Sequence, residues 1–376
     1  MKNKNINPNF TSEVQEIVRW QMPTADDSSI SGDLVAWNKM KILLDQSVEQ
    51  GKIFTNPISE TYNLVYTALG AYLGGVLDLE GNIHFVPLLA EVGQKVSREG
   101  LVSTYSLIYT TTQAYCGAVL DTNGEVHFVP RNAEVGQKIN KYGSVSTYSL
   151  VYTNSLAYSG GILSSSGEVH FVPLKAEVGQ KIVADGTVST YSLVYTSDNF
   201  AYMGGILSPN GEIHYVPHSA QVGQKVSDGI VSTYSLVYTN NFAYTGGVIA
   251  VNGDIHFIPR LAAVGQKIDI NGVISTYSLA YVPAGTSPPH SGGVLAQDGS
   301  IHFVPRESPV GQKIDPEGSV STYSIENTSE IYVGGVISPK GDIHFIPRDA
   351  SVGTKINIAS KADWSKISIS PFFNKF

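Results

Sequence analysis

Seven histidines stand at nearly equal intervals in this 376-residue chain: His84, His127, His170, His214, His256, His302 and His344, separated by 43, 43, 44, 42, 46 and 42 residues. Imidazoles repeated in that way could hold metal ions, line a channel or bind seven copies of a ligand. Five of them follow a carboxylate by two residues (Glu125, Glu168, Glu212, Asp254, Asp342), which puts acid and imidazole on one face of a strand. Such a pair could bind a metal or raise the histidine pKa. Yet Asn82 and Ser300 replace the acid while His84 and His302 persist, so the histidine does not depend on the acid and no metal is expected. Each histidine lies between Ile or Val and Phe or Tyr, the setting of a buried hydrogen-bonding node, and a repeated Ser-Thr-Tyr-Ser supplies hydroxyls. All seven are read as structural.

Seven lysines recur as well: Lys95, Lys138, Lys181, Lys225, Lys267, Lys313 and Lys355, each after Val-Gly-Gln or, in the last copy, Val-Gly-Thr. Gathered at one mouth they could bind an anion or an acidic partner; the favoured reading is that they end edge strands and discourage sheet-to-sheet pairing. Arg131, Arg260, Arg306 and Arg348 follow the proline in only some copies and read as surface variation. Variable loops remain the better candidates, because binding residues commonly sit on loops held by a rigid frame. Phe200 and Phe242, with neighbouring asparagines, are aromatics of the kind that stack on sugars, and His290 ends the longest such loop. With Trp20, Trp37 and Trp364, all outside the repeats, they form the candidate partner-binding set. A phosphate-binding glycine loop, a His-Glu-x-x-His helix and a nucleophile elbow are all missing. Near-identical copies also offer no asymmetric set of groups to one substrate. The expectation is a protein that is not an enzyme and uses no cofactor.

The residues that recur must be positioned by a recurring element. In the second copy Ser103–Thr110 alternates with a period of two, and Ala114–Leu120 is a second strand signal. Asp121-Thr-Asn-Gly-Glu125 is a tight hairpin turn, since Asn-Gly accepts positive φ. Val126–Pro130 is a third strand, ended by a residue that cannot donate to a ladder, and Val135–Ile139 is a fourth. A period in the low forties made of four strands, seven times over, predicts an all-β seven-bladed propeller of four-stranded antiparallel blades.

The chain here resembles the seven-bladed propellers, the group that includes WD-repeat and kelch-repeat proteins. Six paired glycines (Gly74-Gly75, Gly160-Gly161, Gly204-Gly205, Gly246-Gly247, Gly292-Gly293, Gly334-Gly335) look like the kelch double glycine, while the second copy has Gly117-Ala118. The repeats contain no tryptophan, so the Trp-Asp dipeptide and the remaining kelch marks are absent. WD-repeat propellers use a comparable histidine in a network with Ser or Thr and an aromatic, which the resemblance extends to these seven.

The ends differ from the body. Residues 1–58 carry no repeat, and they predict a short helix over 12–21 and a longer one over 33–51, with Asp33 as cap and Gly51 as stop. Residues 59–376 form the propeller, closed by either the strand at 60–67 or the alternating segment 364–370. A net charge of −8 argues against nucleic-acid or anionic-membrane binding. No apolar stretch of ~18 residues exists to span a bilayer, and no secretory signal is visible. One cysteine, Cys116, allows no internal disulfide. The expectation is synthesis in the cytoplasm and a scaffold that links macromolecules, its N-terminal helices tethering it to protein partners in a larger assembly such as a phage virion or tail. A lectin-like propeller binding glycans at repeated sites is the alternative, and an intracellular interaction hub a third.

Overall fold

Alternating residues punctuated by glycine turns build 28 short strands in seven antiparallel sheets of four, in a computed structural model that describes residues 57–282, 287–325 and 331–357. Strand β1 (Ile58–Asn63) comes first. Blade 1 follows as β2 (Tyr72–Leu77), β3 (Ile83–Pro87), β4 (Val92–Val96) and β5 (Val102–Ser106), hydrogen-bonded in that order. Blades 2 to 6 repeat this along the chain. Blade 7 consists of Tyr332–Ile337, Ile343–Pro347 and Val352–Asn357, completed by β1, with Ile58 opposite Asn357 and Asn63 opposite Val352. The inner strand of blade 7 packs on β2, so the ring is closed. Of the two candidate closing strands, the N-terminal one therefore closes it. Segment 364–370, the predicted helices at 12–21 and 33–51, and Trp20, Trp37 and Trp364 lie outside the described residues.

The order of strands within a blade corrects the sequence reading. The Ser-Thr-Tyr-Ser strand is not the first of its unit but the last, at the outer edge. The reason is local: β4 and β5 are joined by the turn Ser97–Gly100, where Ser97 N–H donates to the Leu101 carbonyl at 2.8 Å, and a short hairpin closes at less entropic cost than a longer crossing. The lysines thus lie on the third strand, not on an edge.

Each blade packs around an inner-strand tyrosine. Tyr72 is fully buried, meets Phe85 edge-on at 5.5 Å and donates its hydroxyl to the Val92 carbonyl at 3.2 Å. Blade 6 replaces this tyrosine with His290, which is equally buried and lies edge-on to Phe303 at 5.1 Å. His290 was expected at a partner surface; the loop ends one residue earlier, and the histidine occupies the tyrosine's register opposite Pro305.

The paired glycines have two separate jobs. Gly74 has φ +87°, and a Cβ there would sit 3.2 Å from the Gly117 backbone of the next blade. Its partner Gly75 lies beneath the Ile346 side chain of blade 7. The first glycine turns the inner strand through a bulge at the axis, and the second lets the neighbouring sheet approach. In blade 2 the second position tolerates Ala118, packed with Val76 and Val86.

A buried glutamine stitches the blades together. The Gln94 carboxamide oxygen accepts from Val65 and Tyr66 N–H at 2.9 and 2.7 Å, holding the segment that runs from β1 of blade 7 into blade 1. Gln137, Gln180, Gln224 and Gln266 do the same for the next four crossings. In blade 7 Thr354 takes this place and pairs with the Tyr332 hydroxyl at 2.6 Å.

Candidate functional site

The repeated histidines lie inside the blades. Six of them place Nδ1 within 3.1 to 3.3 Å of a tyrosine hydroxyl on the outer strand: His84 with Tyr105, His127 with Tyr148, His170 with Tyr191, His214 with Tyr234, His302 with Tyr323 and His344 with Tyr62. His256 and Tyr277 meet edge-on at 5.3 Å without that bond. The same tyrosine ring lies across the glycine of Val-Gly-Gln-Lys, where a Cβ would collide with it. Burial lowers His214, His256 and His344 to about 4 and His302 to about 3, so these imidazoles are neutral near pH 7.

The acids beside them belong to the lysines. Lys181 Nζ donates to Glu168 at 2.7 Å, and Glu168 Oε2 lies 3.3 Å from His170 Nε2. These hydrogen bonds, with the Lys181 charge, hold the Glu168 carboxyl down at about 2. The lysine–acid pair recurs at Glu125–Lys138, Glu212–Lys225, Asp254–Lys267 and Asp342–Lys355. Blade 1 compensates for Asn82 by turning Asp78 onto His84 at 3.0 Å. In blade 2, Asp121, Glu125 and His127 bring three metal-type ligands together, but the Lys138 ammonium already takes Glu125 at 2.6 Å.

Asymmetry appears at the axis. The residue after the second-strand proline is Leu88, Arg131, Leu174, His218, Arg260, Arg306 and Arg348 in blades 1 to 7. Its backbone is held twice in most blades. Arg131 N–H donates to the Ala114 carbonyl at 2.8 Å, and its carbonyl accepts from Ala157 of the next blade at 2.9 Å. Arg348 donates to Ile331 and accepts from Ala71, both at 3.1 Å. These residues, with Gln113, Phe200 and Phe242, surround a depression of about 230 Å3 floored by Leu73, Met203 and Val333. The floor residues also line the axial channel, where Cys116 Sγ lies 3.2 Å from Ser159 Oγ.

Three guanidiniums on consecutive blades share this mouth, two of them with a carboxylate at the edge of ion-pair distance. Arg306 Nε has no hydrogen-bond partner and stands 3.9 Å from Glu307, and Arg348 Nε stands 3.8 Å from Asp349. Arg260 lies over the Phe242 ring at 5.3 Å. Burial, reinforced by Arg306 and Arg348, pulls Arg260 down to about 10. Opposite them Arg131 Nε donates to Gln113 Oε1 at 3.3 Å. His218 Nδ1 meets the Tyr244 carbonyl at 2.7 Å, which places the proton on Nδ1, and burial lowers the ring to about 4.

Phe200 and Phe242 stand here too, but not as free platforms. Both adopt φ 56°, they pack at 6.3 Å, and Lys175 Nζ sits 4.5 Å above Phe200 while His218 meets Phe242 at 5.3 Å. The four arginines correct the reading as surface variation. Two offsets carried the signal: the residue after the proline that ends the second strand and the residue before the inner-strand Ala-Tyr. Because every blade points the same end of its strands at the axis, residues differing at one offset become neighbours in space.

No protein-family model matches the sequence, and no curated protein does. Solved structures do match. A streptogramin B lyase superposes with a TM-score of 0.71 at 19% identity, covering 81% of this chain and 99% of the lyase. The likeness is one of fold. A catalytically inactive virginiamycin B lyase from Staphylococcus aureus, solved with quinupristin, gives 0.70 at 16% identity over 81% of this chain and all of that one. Hydrazine synthase of Kuenenia stuttgartiensis gives 0.59 at 10% identity over 80% and 98%. These findings overturn the expectation that the chain is not an enzyme, which rested on its blades being copies: the two lyases and the hydrazine synthase are enzymes of like fold, and the blades of this chain differ where they meet at the axial mouth. Nothing particular to kelch proteins accompanies the double glycine.

Proposed function

We propose that the axial mouth binds a ligand bearing a carboxylate or phosphate and that the protein acts on it there by proton transfer. The observation that carries this reading is the gathering of Arg260, Arg306 and Arg348 with a neutral His218 at one end of the axis, in a chain whose blades otherwise repeat. Guanidinium forks match carboxylate and phosphate oxygens, and they stabilise negative charge that develops on a reacting group. His218, with its proton shared with the Tyr244 carbonyl, keeps the Nε2 lone pair for accepting a proton. A bound anion beside it raises its pKa from about 4 towards the working range. Removal of a proton next to a carboxylate, with Arg260, Arg306 and Arg348 holding the resulting charge, uses His218 and the arginine arc together. Two of the similar propellers are lyases, which supports a reaction of that class.

Calorimetric titration of the full chain with short carboxylates and inorganic phosphate tests the binding. Arg260→Gln and Arg306→Gln should each weaken it on the order of 30-fold, the loss of one charge-assisted pair worth ~2 kcal/mol. Proton NMR in D2O tests the chemistry: the bound carboxylate should exchange its α-hydrogen, and His218→Gln should stop the exchange. Wild-type protein that binds no such anion below millimolar concentration, or glutamine variants that bind as well as wild type, would remove the basis of this reading.

A further inference from the structure

The mouth is polarised as well as cationic. Blades follow chain order around the ring, so Arg260, Arg306 and Arg348 form one continuous arc over blades 5, 6 and 7. Leu88 of blade 1, beside Arg348, and Leu174 of blade 3 stand at the same offset on either side of Arg131, whose Nε is taken by Gln113, and the floor of Leu73, Met203 and Val333 is apolar. A site for a bare inorganic anion would need none of that apolar wall, and water would solvate such an anion better than leucine does. At about 230 Å3 the depression is smaller than the roughly 300–1,000 Å3 typical of sites for drug-sized ligands, so it takes a small molecule or one end of a larger one.

From this we infer that the ligand is amphipathic: an anionic group sits on the arginine arc of blades 5 to 7, and a short apolar body lies on the floor of Leu73, Met203 and Val333 and against Leu88 or Leu174. The inference rests on the anion-binding reading above and adds the second half of the ligand.

Titration of the full chain with two homologous series, the carboxylates from acetate to octanoate and the matching alkyl phosphates, tests it, with hexanol as the uncharged control. Affinity should rise roughly threefold to fourfold per methylene, the factor to which ~0.8 kcal/mol per buried CH2 converts, and level off once the depression is full. The two series separate a carboxylate from a phosphate ligand, and hexanol should not bind. Leu174→Arg and, independently, Leu88→Arg should flatten the chain-length dependence. Arginine already occupies the equivalent position in four blades, so the fold accommodates it there. A flat series in wild-type protein that still binds acetate or phosphate overturns the amphipathic ligand and leaves the anion reading standing. Failure of every anion to bind overturns both.

Discussion

A chain that starts at Leu64 should lose at least ~10 °C of thermal stability relative to one that starts at Pro57, although the two differ by only a short strand. That strand is β1, and blade 7 depends on it. Removing it takes away six registered residue pairs, the Tyr62 hydroxyl 3.3 Å from His344 Nδ1, the ring that covers Gly353, and the Glu60 carboxylate 3.1 Å from Lys355. Truncating one packed aromatic costs ~3–5 kcal/mol, and each kcal/mol shifts the midpoint of a domain of this size by ~2–4 °C. The truncation also bares the backbone edge of Val352–Asn357, a template for pairing between molecules. Calorimetry and light scattering read both effects. A synthetic peptide spanning residues 57–66, added in trans, should restore part of the loss. Equal melting points and a monomeric truncated chain would show that β1 is dispensable.

Acid should unfold the ring cooperatively between about pH 6 and pH 4. His214, His218, His256 and His344 are lowered to about 4, and His290 and His302 to about 3, all by burial. An unfolded histidine titrates near 6.5. Below that pH the unfolded chain binds more protons than the folded one, so stability is full above ~6.5 and falls as pH drops towards the folded values. Each such histidine forfeits about 3 kcal/mol across that window, at 1.36 kcal/mol per pKa unit. Six of them together exceed the whole ~5–15 kcal/mol by which native proteins are stable. Carboxylates act lower: the stability Glu168 adds is present above ~4.5 and lost as pH falls through about 2. Urea midpoints at pH 7, 6, 5 and 4 separate the two, and His302→Gln should make the fall shallower. Midpoints that stay level from pH 7 to 4.5 would rule out histidine burial as the acid-sensitive feature.

The architecture was legible because seven copies of His84's surroundings impose one unit on the whole chain, and a lone four-stranded unit can close its edges only by forming a ring. The order of strands within a blade was not, since a periodic pattern has no beginning; only the tightness of the Ser97–Gly100 turn decides that β5 belongs to β4. The site was hidden by the same repetition. Reading the copies against one another drew attention to what they share, His84 and Lys181 among them, and these turn out to be partners of Tyr105 and of Glu168 inside the blades. Arg260, Arg306 and Arg348 are unremarkable one copy at a time and become a site only when their shared offset is laid around the axis. Gln94 was overlooked because an amide in a strand carries no charge and its two backbone donors come from 28 and 29 residues upstream.

The sealing strand also sets a schedule for synthesis. Blades 1 to 6 are each continuous in the chain and can form as they leave the ribosome, but Asn63 must wait for Val352, about 290 residues later. At ~5–20 residues per second that wait lasts roughly 15–60 s. Throughout it the nascent chain carries β1 without its partner strand, and in a polysome the β1 of one chain meets the unfinished blade of the next. Ring closure is therefore a race between neighbours on one message, and slow translation through blade 7 favours exchange of β1 between copies.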